Sequence, residues 1–173
     1  MPDATHDASA VAQAVDALAS DISTLLDHER GRPVNVIGIV TRGETLAARL
    51  REKLAAAGFD VRGGSVDITL YRDDLSEIGP AAVVKATDMP VEVSGLPMIL
   101  VDDVLFTGRS VNAALSVIGD YGRPAFVRLA VLVDRDGREL PIQADAAAMT
   151  FETDGRVNVR LSEIDGRDAV EVG

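Results

Sequence analysis

The most informative stretch of this chain is Pro97-Met98-Ile99-Leu100-Val101-Asp102-Asp103-Val104-Leu105-Phe106-Thr107-Gly108-Arg109-Ser110. It begins as a continuous apolar run, which is typical of a strand buried on both faces of a parallel sheet. Two adjacent carboxylates follow, where we expect the strand to end. A polar turn then leads into a segment in which apolar residues recur with helical spacing. The stretch therefore predicts a buried strand, a short turn and a helix, the repeating unit of α/β proteins.

The turn has the features of an anion-binding site. Thr107, Gly108 and Ser110 stand directly before the predicted helix, whose N-terminal N–H groups and dipole favour phosphate. Asp102 and Asp103 are expected at the carboxyl end of the strand, where open α/β sheets bind ligands, and they suit sugar hydroxyls or Mg²⁺. Taken singly these features have simpler explanations, because Thr-Gly turns are common and adjacent Asp residues can cap a helix.

Composition limits the classes of protein that this chain can belong to. Its 173 residues suit one domain, residues 1–173, with a substantial core. It has no apolar run long enough to span a membrane, and the acidic segment Met1–Asp7 leads into no apolar core of the signal-peptide kind. The absence of cysteine excludes disulfides and thiolate chemistry. We therefore expect a cytoplasmic protein without a membrane segment.

The charge balance argues against a nucleic-acid partner. The formal net charge is −11, aromatic residues make up 3% of the chain, and tryptophan is absent. Such a protein repels polyanions unless its basic residues are gathered on one face, and it offers few rings on which bases could stack. A small phosphorylated ligand needs only a local pocket and remains compatible with this composition.

A second unit of the same kind precedes the first. Val34–Val40 is predicted to be a buried strand, and it runs through Thr41, Arg42 and Gly43 into a helix. The planar guanidinium of an arginine suits phosphate oxygens, and a glycine lets backbone amides approach closely. As a single motif Thr-Arg-Gly is weak. Its importance lies in its position, because this turn is expected at the same sheet edge as the first.

A long polar segment lies between these two units. Val66–Tyr71 alternates and is rich in β-branched residues, which predicts a strand. The segment that follows, up to Gly95, shows little periodicity, and such long connections often act as lids. Arg72 and Lys85 are its candidate phosphate-binding cations. The simpler interpretation is a solvated loop that touches nothing.

The rest of the chain completes an α/β pattern. Ala125–Val133 is predicted to be a core strand that delivers Asp134–Leu140 to the same sheet edge. Short apolar segments at Ala146–Thr150 and Val157–Leu161 predict one or two late strands. Strands that alternate with helices favour a doubly wound, mostly parallel central sheet flanked by helices.

Three stretches resemble one protein family: Gly38–Gly43, Asp67–Leu75 and Ile99–Asp145. The chain resembles the PyrR family, which comprises bifunctional pyrimidine-operon attenuators and uracil phosphoribosyltransferases. The resemblance extends over essentially the whole chain. It implies the type I phosphoribosyltransferase fold with a flexible loop and a small hood. It also implies homo-oligomers, either dimers or tetramers.

The resemblance implies an enzyme that converts uracil and phosphoribosyl pyrophosphate (PRPP) to UMP and pyrophosphate with Mg²⁺. Asp102 and Asp103 would be catalytic residues that hold the ribose hydroxyls or the metal, directly or through ribose or water. The residues expected to bind the 5′-phosphate share one strand end and turn. They are Val104, Leu105, Phe106, Thr107, Gly108, Arg109 and Ser110.

The same resemblance assigns the remaining parts of the site. Pyrophosphate would be bound by Thr41-Arg42-Gly43 and by Lys85. Arg72, a third catalytic residue, would close over it from the flexible loop. Asp134 and Arg135 would form the uracil side.

The chain departs from the family's RNA-binding members at several positions. Ala17 and Ser20 stand where the attenuators typically carry Arg and His. Gly137 stands where they carry His, and Gln143 where they carry Arg. The tract Ala146–Met149 lacks the basic residue usual there. Together with the net charge of −11, these departures predict that RNA attenuation has been lost.

Two other functions remain open at this point. The first is a phosphoribosyltransferase for another base, because base choice can depend on backbone contacts. The second is a regulator that binds UMP or UTP without significant catalysis. The Thr-Arg-Gly turn and Arg72 disfavour the second, since a sensor of UMP needs no pyrophosphate site.

Overall fold

The structure is a computed structural model that describes residues 4–69 and 86–173. The strands are β1 (Ala4–His6), β2 (Pro33–Ile39), β3 (Asp60–Val66), β4 (Pro97–Leu105), β5 (Phe126–Arg135), β6 (Ala146–Phe151), β7 (Val157–Arg160) and β8 (Ala169–Val172). Five of them form a wholly parallel sheet in the order β3-β2-β4-β5-β6. The predicted parallel α/β sheet is therefore confirmed, with β4 at its centre.

Helices cover both faces of this sheet. They are α1 (Ala8–Leu25), α2 (Arg42–Ala56) and α3 (Arg109–Tyr121), and a further short helix, α4 (Ser162–Asp165), follows β7. Because side chains alternate along a strand, β4 contributes to two cores. Ile99 and Val101 are buried with the apolar faces of α1 and α2, whereas Met98 and Leu100 are buried with that of α3. Among the described residues, no helix is both long and apolar enough to cross a membrane.

The two late apolar segments are strands, but only one of them joins the central sheet. β6 extends that sheet, whereas β7 pairs with β8 and β8 with β1 in a three-stranded antiparallel sheet. We call β1, β7, β8 and α4 together the hood. The short β1 and β8 were not anticipated, because three or four residues near a terminus carry too little periodicity to predict a strand.

Arg49 of α2 ties the hood to the body of the protein. Its guanidinium donates hydrogen bonds to Glu163 (Nε to Oε1, 2.9 Å) and to Asp168 (Nη1 to Oδ2, 2.8 Å). These hydrogen bonds raise the pKa of Arg49 and lower the pKa of both carboxyls. All three groups are therefore charged near neutral pH, and the hood is fixed to α2 by a charged network.

The strand predicted at Val66–Tyr71 was placed wrongly over its described part, Val66–Thr69, and its last two residues lie outside the described residues. The edge strand is β3, Asp60–Val66. It was not predicted from the sequence because it contains two adjacent glycines, and glycine is depleted in strands. Gly64 is needed there, since a Cβ at this position would lie 2.4 Å from the carbonyl oxygen of Asp88. That close approach accompanies an antiparallel bridge between Ser65 and Asp88.

Candidate active site

The two adjacent carboxylates lie at a step in the sheet edge. β4 was expected to end after Val101, but it continues to Leu105, because β5 extends beside it and Asp102 still pairs with Val131. On its other side β4 loses its partner, since the β2 pairing ends at Gly38 opposite Val101. Asp102 and Asp103 therefore stand where β2 has ended and its turn begins.

Each carboxylate is oriented by a backbone amide. Asp102 Oδ1 accepts a hydrogen bond from the N–H of Asp103 (2.9 Å), and Asp103 Oδ1 accepts one from the N–H of Val104 (2.9 Å). Asp102 is buried, with 7% of its surface exposed, whereas Asp103 is half-buried. The pair thus presents one enclosed and one accessible carboxylate at the same strand end.

The Thr-Arg-Gly turn packs directly against these acids. Gly43 is buried, and a Cβ at its position would lie 2.5 Å from the carbonyl oxygen of Val101 and 3.3 Å from Oδ1 of Asp102. Only glycine allows the start of α2 to approach β4 this closely. The peptide bond between Val40 and Thr41 is cis. The structure thus brings the predicted pyrophosphate turn and the acid pair together.

The predicted 5′-phosphate turn encloses a small cavity at the start of α3. The cavity is about 110 Å³ and is lined by Asp102, Val104, Leu105, Phe106, Thr107, Gly108, Ser110 and Val111. Gly108 is the N-cap residue in the left-handed region (φ 92°), and having no side chain it cannot cap the helix itself. Thr107 fixes the turn, since its Oγ1 accepts the N–H of Arg109 (3.2 Å) and its carbonyl accepts those of Glu139 and Leu140 (both 3.0 Å).

The side chain of Arg109, which was predicted to bind the 5′-phosphate, forms an ion pair with a carboxylate of the protein. Its Nε donates to Oε2 of Glu139 at 2.7 Å, and both side chains are half exposed. Arg109 is not among the residues that line the cavity, whereas its backbone belongs to the turn. The guanidinium of Arg109 is therefore engaged with Glu139, and its backbone N–H with Thr107.

A second cavity lies between the acid pair and the hood. It is about 230 Å³ and is lined by Arg42, Asp103, Val157, Asn158, Val159 and Arg160. Arg42 Nη2 donates to Oδ1 of Asp165 at 2.8 Å, while its Nε is buried without a hydrogen-bond partner among the described residues. A guanidinium in this state retains unused donor capacity beside a polar cavity, which suits an anionic ligand.

The predicted uracil side is built around Phe106. The guanidinium of Arg135 lies over the Phe106 ring, 4.1 Å from its centroid, and donates to the carbonyls of Gly155 (2.6 Å) and Thr153 (2.8 Å). Asp134 is paired with Arg138, whose Nη2 donates to Oδ1 at 2.6 Å. Arg135 and Asp134 therefore shape this wall through protein contacts.

Arg138 is a residue that the sequence did not single out. Its guanidinium links Asp134 to the carbonyl of Phe106 and so joins the end of β5 to the phosphate turn. Asp165 was also not singled out, because nothing near it in the sequence indicates that it pairs with Arg42. The predicted residues Arg72 and Lys85 lie outside the described residues.

The acid pair fits Mg²⁺ only together with a substrate. Within residues 4–69 and 86–173, no group of three or more His, Cys, Asp or Glu side chains could hold a metal ion by itself. Magnesium is usually bound by one or two carboxylates together with waters and substrate phosphates. Asp103, which lines the polar cavity beside Arg42, suits that arrangement.

Comparisons with known proteins show the family of this chain. Residues 3–160 match the family model described as phosphoribosyl transferase domain. The chain is 52% identical over 149 residues to the bifunctional protein PyrR of Desulfosudis oleivorans, covering 84% of this chain and 82% of that protein. It is 49% identical over 160 residues to the bifunctional protein PyrR of Deinococcus radiodurans, covering 90% and 87%.

Solved structures resemble the fold. A hypoxanthine phosphoribosyltransferase from Trypanosoma cruzi superposes with a TM-score of 0.75 at 20% identity, covering 96% of this chain and 92% of that one. A hypoxanthine-guanine phosphoribosyltransferase from Bacillus anthracis gives a TM-score of 0.68 at 19% identity, covering 86% and 83%. At such identities the likeness concerns the fold alone, and it confirms the predicted fold class.

Proposed function

The chain belongs to the PyrR family of phosphoribosyltransferases, and from that we propose that it converts uracil and PRPP to UMP and pyrophosphate. One observation carries the proposal. A single pair of carboxylates, Asp102 and Asp103, lies between two turns suited to anions, one at the start of α3 and one at the start of α2. PRPP has this shape, with a ribose between a 5′-phosphate and a pyrophosphate.

The residues suit substitution at the anomeric carbon of the ribose. The turn from Phe106 to Ser110 binds the 5′-phosphate, and Arg42 binds the leaving pyrophosphate. Positive charge develops on the sugar as the C–O bond to pyrophosphate breaks, and the carboxylates of Asp102 and Asp103 stabilise it. The new bond forms to a nitrogen of the base, which gives up its proton to solvent or to the departing pyrophosphate, so the protein needs no nucleophile of its own. Positioning and charge stabilisation are its main contributions.

Asp103 and the phosphate oxygens of the substrate are the groups we expect to hold Mg²⁺. When bound, the ion neutralises part of the charge on the leaving pyrophosphate. Arg42 acts on the same charge from the side of α2. Asp134 and Arg135, with Arg138 bracing the loop, complete the wall against which the base is held.

We further propose that the RNA-binding role of the family has been lost in this chain. The positions that differ from the attenuators, Ala17, Ser20, Gly137 and Gln143, are all exposed. Helix α1 contains neither lysine nor arginine. With a net charge of −11, these positions supply no cations to replace the counterions of an RNA backbone.

The decisive test is pyrophosphate release by the purified protein with PRPP, Mg²⁺ and a panel of uracil, orotate, hypoxanthine and xanthine. We expect turnover with uracil alone. Turnover with another base instead of uracil would show that the proposed substrate is wrong and that the proposed reaction type is right. Tight binding of UMP or UTP without turnover of any base would favour the regulator instead.

A further inference from the structure

The cavity beside Asp103 holds a second guanidinium that the sequence did not single out. Arg160, the last residue of β7, lines the cavity together with Arg42, and its side chain is 39% exposed. It therefore comes from the hood, whereas Arg42 comes from the body of the protein. Two guanidiniums that line one cavity can each donate hydrogen bonds to a ligand with two phosphate groups.

Asp165 joins these two arginines. Its Oδ1 lies 2.8 Å from Nη2 of Arg42 and 3.6 Å from Nη1 of Arg160. The carboxylate is itself fixed by the hood, because its Oδ2 accepts the backbone N–H of Leu161 at 2.9 Å. That hydrogen bond, followed by the pairing with Arg42, lowers the pKa of Asp165. Asp165 is therefore ionised near neutral pH and sets the spacing of two cations.

Arg160 is held loosely enough to take a ligand. Its other partner is Glu171, with Nε to Oε2 at 3.4 Å, so both of its ion pairs are longer than that of Arg42. Glu171 has a second partner in Arg167. A shift of Arg160 toward a phosphate would therefore leave neither Glu171 nor Asp165 without a cation.

The charge of the cavity lining also depends on the second arginine. The lining carries one carboxylate, that of Asp103, and the guanidiniums of Arg42 and Arg160, whereas Asp165 pairs with both arginines without lining the cavity. With Arg42 alone, the one guanidinium and the one carboxylate of the lining would cancel and offer a polyphosphate no net attraction. Arg160 gives the lining a net positive charge, which favours an anionic ligand.

We propose that Arg160 is a further pyrophosphate-binding residue, contributed by the hood and positioned beside Arg42 by Asp165. The proposal rests on the proposed function, in that it names the ligand of this cavity as the pyrophosphate group of PRPP. It also gives the hood a direct part in substrate binding. A purely structural role, in which Arg160 only braces β7 against β8, is the alternative that the test must separate.

The test compares Arg160→Gln with Arg167→Gln in the full chain. Both changes remove one positive charge and one contact to Glu171, but Arg167 does not line the cavity. Calorimetric titration with pyrophosphate and with PRPP, in the presence of Mg²⁺, should give affinities about tenfold weaker for Arg160→Gln, the effect of losing one charge-assisted hydrogen bond. Arg167→Gln should bind both compounds as the wild type does.

Further measurements keep the outcome clear. Thermal melting of both variants shows whether the hood stays folded, and Arg160→Lys, which keeps the charge, should retain more affinity than Arg160→Gln. Equal affinities for the two glutamine variants would overturn the proposal. So would binding of neither compound by the wild type. A wild type that binds PRPP but turns over no base, with binding still weakened in Arg160→Gln, would refute the proposed function and support this inference.

Discussion

Arg42 Nη2 and Asp165 Oδ1 lie 2.8 Å apart although 123 residues separate them in the chain. Through this pair the first residue of α2, in the turn proposed to bind pyrophosphate, is held by the hood. Because Nη2 is taken, the orientation of the whole planar guanidinium is fixed beside the cavity that it shares with Asp103. We therefore expect Asp165 to act as a positioning residue for Arg42 and not as a residue that binds the substrate.

The first prediction concerns this pair. Asp165→Asn removes the charge that orients Arg42, so we expect the KM for PRPP to rise about fivefold to tenfold, in line with the loss of a charged hydrogen bond. The KM for the base should not change, because Asp165 lies on the pyrophosphate side. The control is Glu163→Gln on the same helix, which contacts Arg49 instead. A rise in both KM values for Asp165→Asn would point to general distortion of the site.

The second prediction concerns the accessible carboxylate. Asp103→Asn should lower kcat about 100-fold or more, because negative charge beside the developing positive sugar is lost. Folding should be spared, since the amide oxygen of Asn can still accept the N–H of Val104. Initial rates and thermal melting measure the two effects separately. Asp120→Asn, an exposed change near the end of α3, serves as the control, and unchanged rates for Asp103→Asn would contradict the assigned role.

The third prediction compares alanine substitutions at two glycines, one with close neighbouring atoms and one with none. The Cβ of Gly43→Ala would lie 2.5 Å from the carbonyl oxygen of Val101, so α2 must move away from the acid pair. We expect a loss of about 1–3 kcal/mol in the free energy of unfolding, together with weaker PRPP binding. Gly119→Ala in α3 meets no atom within 4 Å and should stabilise by about 0.5–1 kcal/mol. Urea unfolding of both variants checks the opposite signs.

The elements around the anion sites were predictable because their signals are local. The apolar run of β4, the acids and the turn before α3 follow one another in sequence, so periodicity and turn chemistry suffice. The extension of β4 to Leu105 was not predictable, because it depends on β5 continuing beside it while β2 ends. Gly63 and Gly64 made β3 hard to predict, because strand propensity disfavours glycine. At Gly64 the carbonyl oxygen of Asp88 requires glycine, whereas Gly63 meets only the flexible guanidinium of Arg51.

The contribution of the hood to the site could not be predicted from the sequence. Asp165 and Arg160 meet Arg42 only because an antiparallel sheet made from both chain ends is folded over the central one. A charged residue carries no sign of its distant partner. The ion pair of Arg109 with Glu139 was likewise not predictable. A cation in the sequence of a predicted phosphate turn can have a protein carboxylate as its partner.

The fourth prediction is the pH dependence of the hood's attachment. Arg49 lowers the pKa of Asp168 and of Glu163, chiefly through hydrogen bonds to their carboxylates. Such groups contribute stability that is present above their unfolded pKa, about 4, and is lost as the pH falls through the lower folded value. Asp168→Asn should therefore cost about 1–2 kcal/mol at neutral pH, and its deficit should shrink below about pH 4.

Urea unfolding across this range measures that dependence. The control is Asp27→Asn, whose partner Arg30 and own side chain are 50% and 66% exposed, and it should change stability by less than about 0.5 kcal/mol at any pH. A deficit for Asp168→Asn that is the same at all pH values would show that packing, and not the charge on this group, attaches the hood.

The last prediction tests the proposed loss of RNA binding. An electrophoretic shift with pyrimidine-leader RNA at low salt, where phosphate contacts are strongest, should show no saturable complex at micromolar protein. The physical reason is the lack of cations at exposed positions such as Ala17 and Ser20 on α1. An unrelated RNA of equal length is the control for non-specific binding. Saturable binding of the leader alone would mean that the RNA is recognised through another surface, and the proposed loss would be wrong even if uracil turnover were measured.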